Sequence, residues 1–262
     1  MDAASEVDLD LAARLADISD AITLPAFERR AFAVEHKPDH SEVTEIDRGC
    51  EAAIVAALAE ARPHHGVVGE EHGVQGDPGS TARWIIDPID GTSGYTRGIP
   101  VWATLIALVV DGEVEVAMVS APALGRRWSA VRGGGAFVGD RPCRVSTIAD
   151  LADAQVSVTL NEGWRELGLV DELTTIALTA RRSRSLGDFW QHVLVAEGAL
   201  DVAIDAVGVA DYDLAAVRLV VEEAGGTFTD RAGVPAHDRG TAVSSNGLLH
   251  DEIVARLSVT PA

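Results

Sequence analysis

Cysteine is nearly missing. Cys50 and Cys143 are the only two in 262 residues, and they lack C-x-x-C spacing. That excludes a disulfide framework and suits a reducing cytosol. Basic residues are scarce too, 21 Lys and Arg against 41 Asp and Glu, giving a formal charge of −20. A chain so acidic repels polyanions, so nucleic acid and anionic lipid surfaces are set aside as partners. No apolar run reaches the length of a membrane span, and Met1–Asp10 has neither a basic start nor an apolar segment. Neither secretion nor membrane insertion is expected.

What is present is a chain that is 47% hydrophobic, enough for one large α/β domain or two intimate halves. Apolar residues recur at helical spacing from Val7 to about Phe32, with a break expected near Pro25. A polar loop follows from Lys37-Pro38-Asp39, then a helix over Asp47–Ala61. Gly66–Gly69 and Trp84–Ile86 read as short buried strands, with Gly73–Ser80 a surface loop between them. Thr104–Val110 and Val114–Val119 flank Asp111-Gly112, a hairpin signal. Strands are expected at Trp128–Val131, Ala136–Val138, Val156–Leu160, Val202–Ile204, Thr227–Thr229 and Ala242–Ser244. Helices are expected at Asp171–Ala180, Phe189–Gly198, Leu214–Ala224 and Leu248–Leu257. This mixture predicts an α/β or α+β fold.

The chemistry concentrates in Asp87-Pro88-Ile89-Asp90-Gly91-Thr92, directly after the apolar Trp84-Ile85-Ile86. Carboxylates at the end of a buried strand are costly unless a cation compensates them. Asp90-Gly91-Thr92 reads as a helix start, where backbone N–H groups can face an anion. Gly69-Glu70-Glu71 and Asp211-Tyr212-Asp213 add carboxylates from distant parts of the chain. An all-oxygen donor set suits a hard cation such as Mg²⁺, and no His/Cys cluster points to zinc. In a protein with so few basic residues, bound cations are the natural way to make a site locally positive. The spacing of Asp87 and Asp90 excludes the D-x-D nucleophile of haloacid-dehalogenase-type phosphatases. Taken singly, each of these acidic residues also reads as an ordinary helix cap or a solvated loop residue.

These motifs, with Val43-Thr44-Glu45-Ile46-Asp47, Lys37 and Asp213-Leu214-Ala215-Ala216 before Glu223-Ala224-Gly225-Gly226, resemble the inositol-monophosphatase-like superfamily. The resemblance implies a layered αβαβα sandwich, with an N-terminal half over 1–145 carrying most metal ligands and a C-terminal half over 146–262 completing the site. It implies two or three Mg²⁺ ions held by Glu70, Asp87, the Ile89 carbonyl, Asp90 and Asp213. Asp47 and Thr92 would orient the attacking water with Glu70 assisting, and the N–H groups of Gly91 and Thr92 would hold phosphate. The expected activity is hydrolysis of a small-metabolite phosphate ester, in the cytoplasm and as a homodimer. Two positions depart from the family pattern: Tyr212 stands where Trp is usual, and Ala206 where many relatives carry a substrate-binding Glu.

Within the superfamily, Gly98–Leu108, Ser120–Trp128, Gly187-Asp188-Phe189 and Ser245–Glu252 look most like the actinobacterial histidinol-phosphatase branch. Histidinol phosphate carries an ammonium group that Asp188, or Asp205 next to Ala206, could pair with. Asp188 reads equally as a cap for a helix beginning at Phe189. Arg184 is a candidate substrate-binding residue. Ser93-Gly94-Tyr95-Thr96 departs from this branch, which keeps inositol monophosphate, a broad substrate range and an inactive metabolite-binding relative as alternatives. His192 is expected as a packed core histidine.

Overall fold

The computed structural model describes residues 3–37, 41–77 and 79–258. By internal contacts the chain divides into two compact units, Met1–Gly134 and Gly135–Ala262.

The first unit runs α1 (Ala3–Arg29), β1 (Val34–His36), β2 (Glu42–Thr44), α2 (Glu45–Ala61), β3 (Gly66–Gly69), β4 (Gly73–Gly76), β5 (Ala82–Asp90), α3 (Thr92–Arg97), β6 (Ala103–Val110), β7 (Glu113–Ala121) and β8 (Arg126–Val131). Six strands lie in the order β8-β7-β6-β5-β3-β4. The β3–β5 pair is parallel, and the β3–β4, β5–β6, β6–β7 and β7–β8 pairs are antiparallel. Every second residue of the central strands, including Trp84, Ile86, Ile106, Leu108, Val116 and Met118, packs against Leu11, Leu15, Cys50, Ile54 and Leu58 of α1 and α2. The period of two meeting the helical period is what builds this layer.

Two expectations change here. The helix runs through Pro25. Its last turns are held from outside: Tyr95 Oη donates to the Thr23 carbonyl at 2.8 Å, and Phe27 packs 5.4 Å from Tyr95 and 5.5 Å from Trp102. These contacts compensate the hydrogen bond that proline removes. Gly73–Gly76, expected as loop, is β4, an exposed edge strand zipped onto β3 by backbone pairing that needs no apolar pattern. Pro38 and Asp39 of the expected polar loop lie outside the described residues.

The second unit runs β9 (Gly135–Val138), β10 (Arg141–Pro142), β11 (Gln155–Val158), α4 (Glu162–Glu166), α5 (Val170–Thr179), β12 (Arg182–Arg184), α6 (Asp188–Ala196), β13 (Val202–Ile204), α7 (Asp211–Glu223), β14 (Thr227–Thr229), β15 (Val243–Ser245) and α8 (His250–Leu257). Five strands lie in the order β12-β11-β13-β15-β14. One face, with Val156, Val158, Val202, Ile204 and Val243, packs on Leu173 and Ile176 of α5 and Ile253 and Leu257 of α8. The alternate residues serve α6: Ser157 bonds Gln191, and Ser244 bonds His192. The sheet is therefore sandwiched between helices, and the whole is a mixed α/β layered fold.

Candidate active site

In a regular strand, residues three apart point to opposite faces. Asp87 and Asp90 escape that rule because β5 does not stop at Ile86 as expected. It continues to Asp90, and its pairing with β6 jumps from Asp87↔Leu105 to Asp90↔Ala103. The irregularity holds Pro88, which has no N–H to give a ladder and is tolerated at such bulges. The bulge turns both carboxylates together, each offering an oxygen within 4.8 Å of the other, and both side chains are buried.

The bulge is pinned from several sides. Ile89 N–H donates to Asp87 Oδ1 at 2.9 Å, and Thr104 Oγ1 donates to the Pro88 carbonyl at 2.8 Å. Gly91 follows at φ 85°, a left-handed conformation that glycine adopts without strain, and α3 starts at Thr92.

Thr92 Oγ1 lies 2.7 Å from the Ile89 carbonyl and 3.2 Å from Asp47 Oδ1. Asp47 sits in the first turn of α2, where Thr44 and Asp47 form a capping box. Its Oδ2 accepts from both Thr44 N–H at 2.8 Å and Thr44 Oγ1 at 2.6 Å. Burial raises the Asp47 carboxyl above its ordinary range, and the two Thr44 bonds pull it partly back.

Glu70 leaves the end of β3, its N–H bonded to the Ile86 carbonyl. Lys37 Nζ bridges Glu70 Oε1 and Glu71 Oε1, each at 2.7 Å. Burial raises Glu70 above the usual carboxylate range; the Lys37 hydrogen bond and a hydrogen bond with Asp87 act against it. Burial would lower the Lys37 ammonium, but its two carboxylate partners hold it above its ordinary value. Carboxylates gathered at partly buried positions thus already recruit a cation from the chain itself.

In the second unit, Asp213 lies in the first turn of α7 and accepts the Ala210 N–H at 2.6 Å. The helix begins at Asp211, three residues before the expected start, which places Asp213 inside it. Asp205 is buried; its Oδ2 meets His192 Nε2 at 2.9 Å and its Oδ1 accepts the Ala206 N–H at 2.7 Å. His192 Nδ1 meets Ser244 Oγ at 2.6 Å, so this is a packed core histidine, as its helical setting suggests. Asp188 does not cap a helix at Phe189. Gly187 takes the cap position, and Asp188 is the first helical residue, at φ 49°. Asp188 is an exposed residue, yet the protein around its carboxyl, then the Asp205 charge, push it up to about 6. Arg184 lies on β12, exposed, at the edge of the five-stranded sheet, and β12 itself was not expected from sequence.

Thr104 is a site residue that sequence reading passed over. A threonine fully buried in the apolar run Ala103–Val110 must find a partner, and that demand is the signal it offers. Chemically, the donors at Asp87, Asp90 and Glu70 are hard oxygens, and no sulfur or imidazole stands among them. The donor set fits Mg²⁺.

A family model described as the inositol monophosphatase family matches residues 5–260. A histidinol-phosphatase of Mycobacterium tuberculosis is 46% identical over 260 residues, spanning 97% of this chain and 99% of that protein. A histidinol-phosphatase of Streptomyces coelicolor is 44% identical over 260 residues, spanning 96% and 97%. Among solved structures, the extragenic suppressor protein suhB of Bartonella henselae superposes with a TM-score of 0.89 at 27% identity, covering 96% of this chain and 98% of its own.

Proposed function

The chain belongs to the inositol monophosphatase family and is a phosphoric monoester hydrolase, and from that premise we propose that its substrate is histidinol phosphate. The observation that carries this reading is the likeness to two histidinol-phosphatases over nearly the whole chain. The acidic setting of Asp188 beside Asp205 supports it, because the substrate's ammonium group needs an anionic partner that an inositol ring does not.

The family is Mg²⁺-dependent, and we assign two or three ions to Glu70, Asp87, the Ile89 carbonyl, Asp90 and Asp213. When bound, Mg²⁺ supplies positive charge against the phosphoryl oxygens and acidifies water. The residues of the chain do the rest. Asp47 and Thr92 orient the attacking water through the Thr92 hydroxyl, and Glu70 is the base that takes the proton the water gives up. The Gly91 and Thr92 N–H groups, at the start of α3, hold the phosphate. Arg184, Asp188 and Asp205 are assigned to the substrate side. The enzyme works as a cytoplasmic homodimer in this reading.

The test is phosphate release from histidinol phosphate and inositol 1-phosphate side by side, with Mg²⁺ and with EDTA. Mg²⁺-dependent turnover of histidinol phosphate is the expected result. Turnover of inositol 1-phosphate alone would overturn it and make Ser93–Thr96 and Ala206 the marks of a different substrate.

A further inference from the structure

Helix α2 carries a second buried carboxylate one turn beyond Asp47. Residues four apart share a helix face, and Glu51 is fully buried there. An ionised carboxylate in such a place must be compensated. Its partners are all in the segment after β3. Glu51 Oε2 accepts the Glu71 N–H at 2.8 Å, and Oε1 accepts the His72 N–H at 2.9 Å and meets His72 Nδ1 at 2.8 Å. Consecutive backbone N–H groups clamped by one carboxylate fix the peptide that follows Glu70.

The clamp is also packed from the other side. A Cβ on Gly69 would stand 2.3 Å from Glu51 Cδ and 2.4 Å from Oε1, so any side chain there must push the Glu51 carboxylate aside. Glycine at 69 is therefore the residue that lets Glu51 reach across. Glu70 lies between the glycine that leaves room for Glu51 and the two residues whose N–H groups are held. Charge-assisted bonds of this kind are the stronger class, and they come in a pair here.

We propose that Glu51 is a positioning residue for Glu70: with Asp47 it makes α2 a rigid ruler, Asp47 reaching Thr92 and Glu51 setting where the Glu70 carboxylate points. The proposal rests on the assignment of Glu70 as a cation ligand. Residues that orient a ligand from behind change metal affinity by about 10- to 100-fold when altered.

The experiment is Mg²⁺ titration calorimetry on the full chain, with circular dichroism and thermal melting as controls for folding. Glu51→Gln keeps the shape but turns an N–H donor toward a backbone N–H. Its Mg²⁺ dissociation constant should rise by about 10- to 100-fold, while the ester KM at saturating Mg²⁺ stays close to that of the unaltered protein. Gly69→Ala, which displaces Glu51 by contact alone, should show the same signature and serves if Glu51→Gln does not fold. Pairing Glu51→Gln with Glu70→Gln should weaken Mg²⁺ no further than Glu70→Gln alone, because a positioning residue has nothing left to position. Unchanged Mg²⁺ affinity in a folded Glu51 or Gly69 variant overturns the proposal, and so does full additivity in the pair. If Glu70→Gln itself leaves Mg²⁺ affinity and turnover untouched, it is the assignment of Glu70 that fails.

Discussion

The Thr92 hydroxyl stands 3.2 Å from Asp47 Oδ1 and 2.7 Å from the Ile89 carbonyl. Both are acceptors for its one proton. A hydroxyl so held keeps a lone pair aimed away from both, available to a water molecule. Thr92→Val removes that oxygen without removing the β-branch that suits the first turn of α3. The expected result is a fall in kcat of about 10²- to 10⁴-fold with little change in KM. Thr92→Ser should recover most of the rate. Steady-state kinetics on all three proteins decides; a Val variant with full kcat would remove Thr92 from the reaction.

Asp90→Asn separates stability from metal binding. Asp87 and Asp90 are buried with oxygens close together, so without a cation each charge disfavours the other. Neutralising Asp90 should leave the melting temperature in EDTA equal or higher. A ligand that binds only the folded state at a hundred times its Kd stabilises it by about 2.7 kcal/mol. The unaltered protein should therefore melt at a higher temperature in excess Mg²⁺, and the variant should lose most of that gain together with its turnover. A variant that melts far lower in EDTA would show that Asp90 is a structural acceptor.

The acidic end of β5 was legible in the sequence. Trp84–Ile86 announced a buried strand, and an acidic pair directly after it called for something to compensate its charge. What sequence could not show is how residues three apart in a strand face the same way. That depends on the bulge between Asp87 and Asp90, which exists only once β6 supplies a register to break. The same applies to β4, β1 and β12, whose residues are largely exposed. Their strands arise from backbone pairing, so no hydrophobic alternation betrays them. Asp205 and His192 show a further limit. Thirteen residues apart in sequence, they meet at 2.9 Å only because β13 lies against α6.

Asp188 gives a pH signature. The protein packed around the carboxyl, then the Asp205 carboxylate, raise its pKa from the ordinary 3.8 to about 6. Below 3.8 the folded and unfolded chains both hold the proton and the group contributes nothing. Between these values the folded chain binds more protons, so stability falls as pH rises, and above 6 the full cost is in place. Because solvent reaches Asp188, screening keeps that cost small. Asp188→Asn should melt slightly higher at pH 8 and equally at pH 3.5. If ionised Asp188 pairs with the substrate's ammonium, the variant's KM for histidinol phosphate should exceed that of the unaltered enzyme at pH 8, with the ratio closing toward pH 5. KM for inositol 1-phosphate should not respond. A ratio independent of pH would detach Asp188 from substrate recognition.

Thr104 is where the core reaches into the site. Its hydroxyl donates to the Pro88 carbonyl at 2.8 Å and in turn meets Ser19 Oγ at 2.5 Å, which accepts from Cys50 Sγ at 3.0 Å. The chain of bonds ties α1 and α2 to the peptide between Asp87 and Ile89, and all three side chains are buried. Thr104→Val preserves volume but strands the Pro88 carbonyl and the Ser19 hydroxyl. Leaving a buried polar group unpaired costs about 1–3 kcal/mol, so chemical denaturation should show a loss in that range. The freed Pro88 peptide should also loosen the Asp87 and Ile89 donors, raising the Mg²⁺ concentration needed for half-maximal turnover. Thr104→Ser restores the donor and should restore Mg²⁺ dependence while leaving a methyl-sized gap that keeps part of the stability loss. That split distinguishes a polar tether from mere packing. If Val and Ser lose stability equally and neither shifts the Mg²⁺ dependence, Thr104 is only a core residue, and the bulge is held by Ile89 N–H and Gly91 alone.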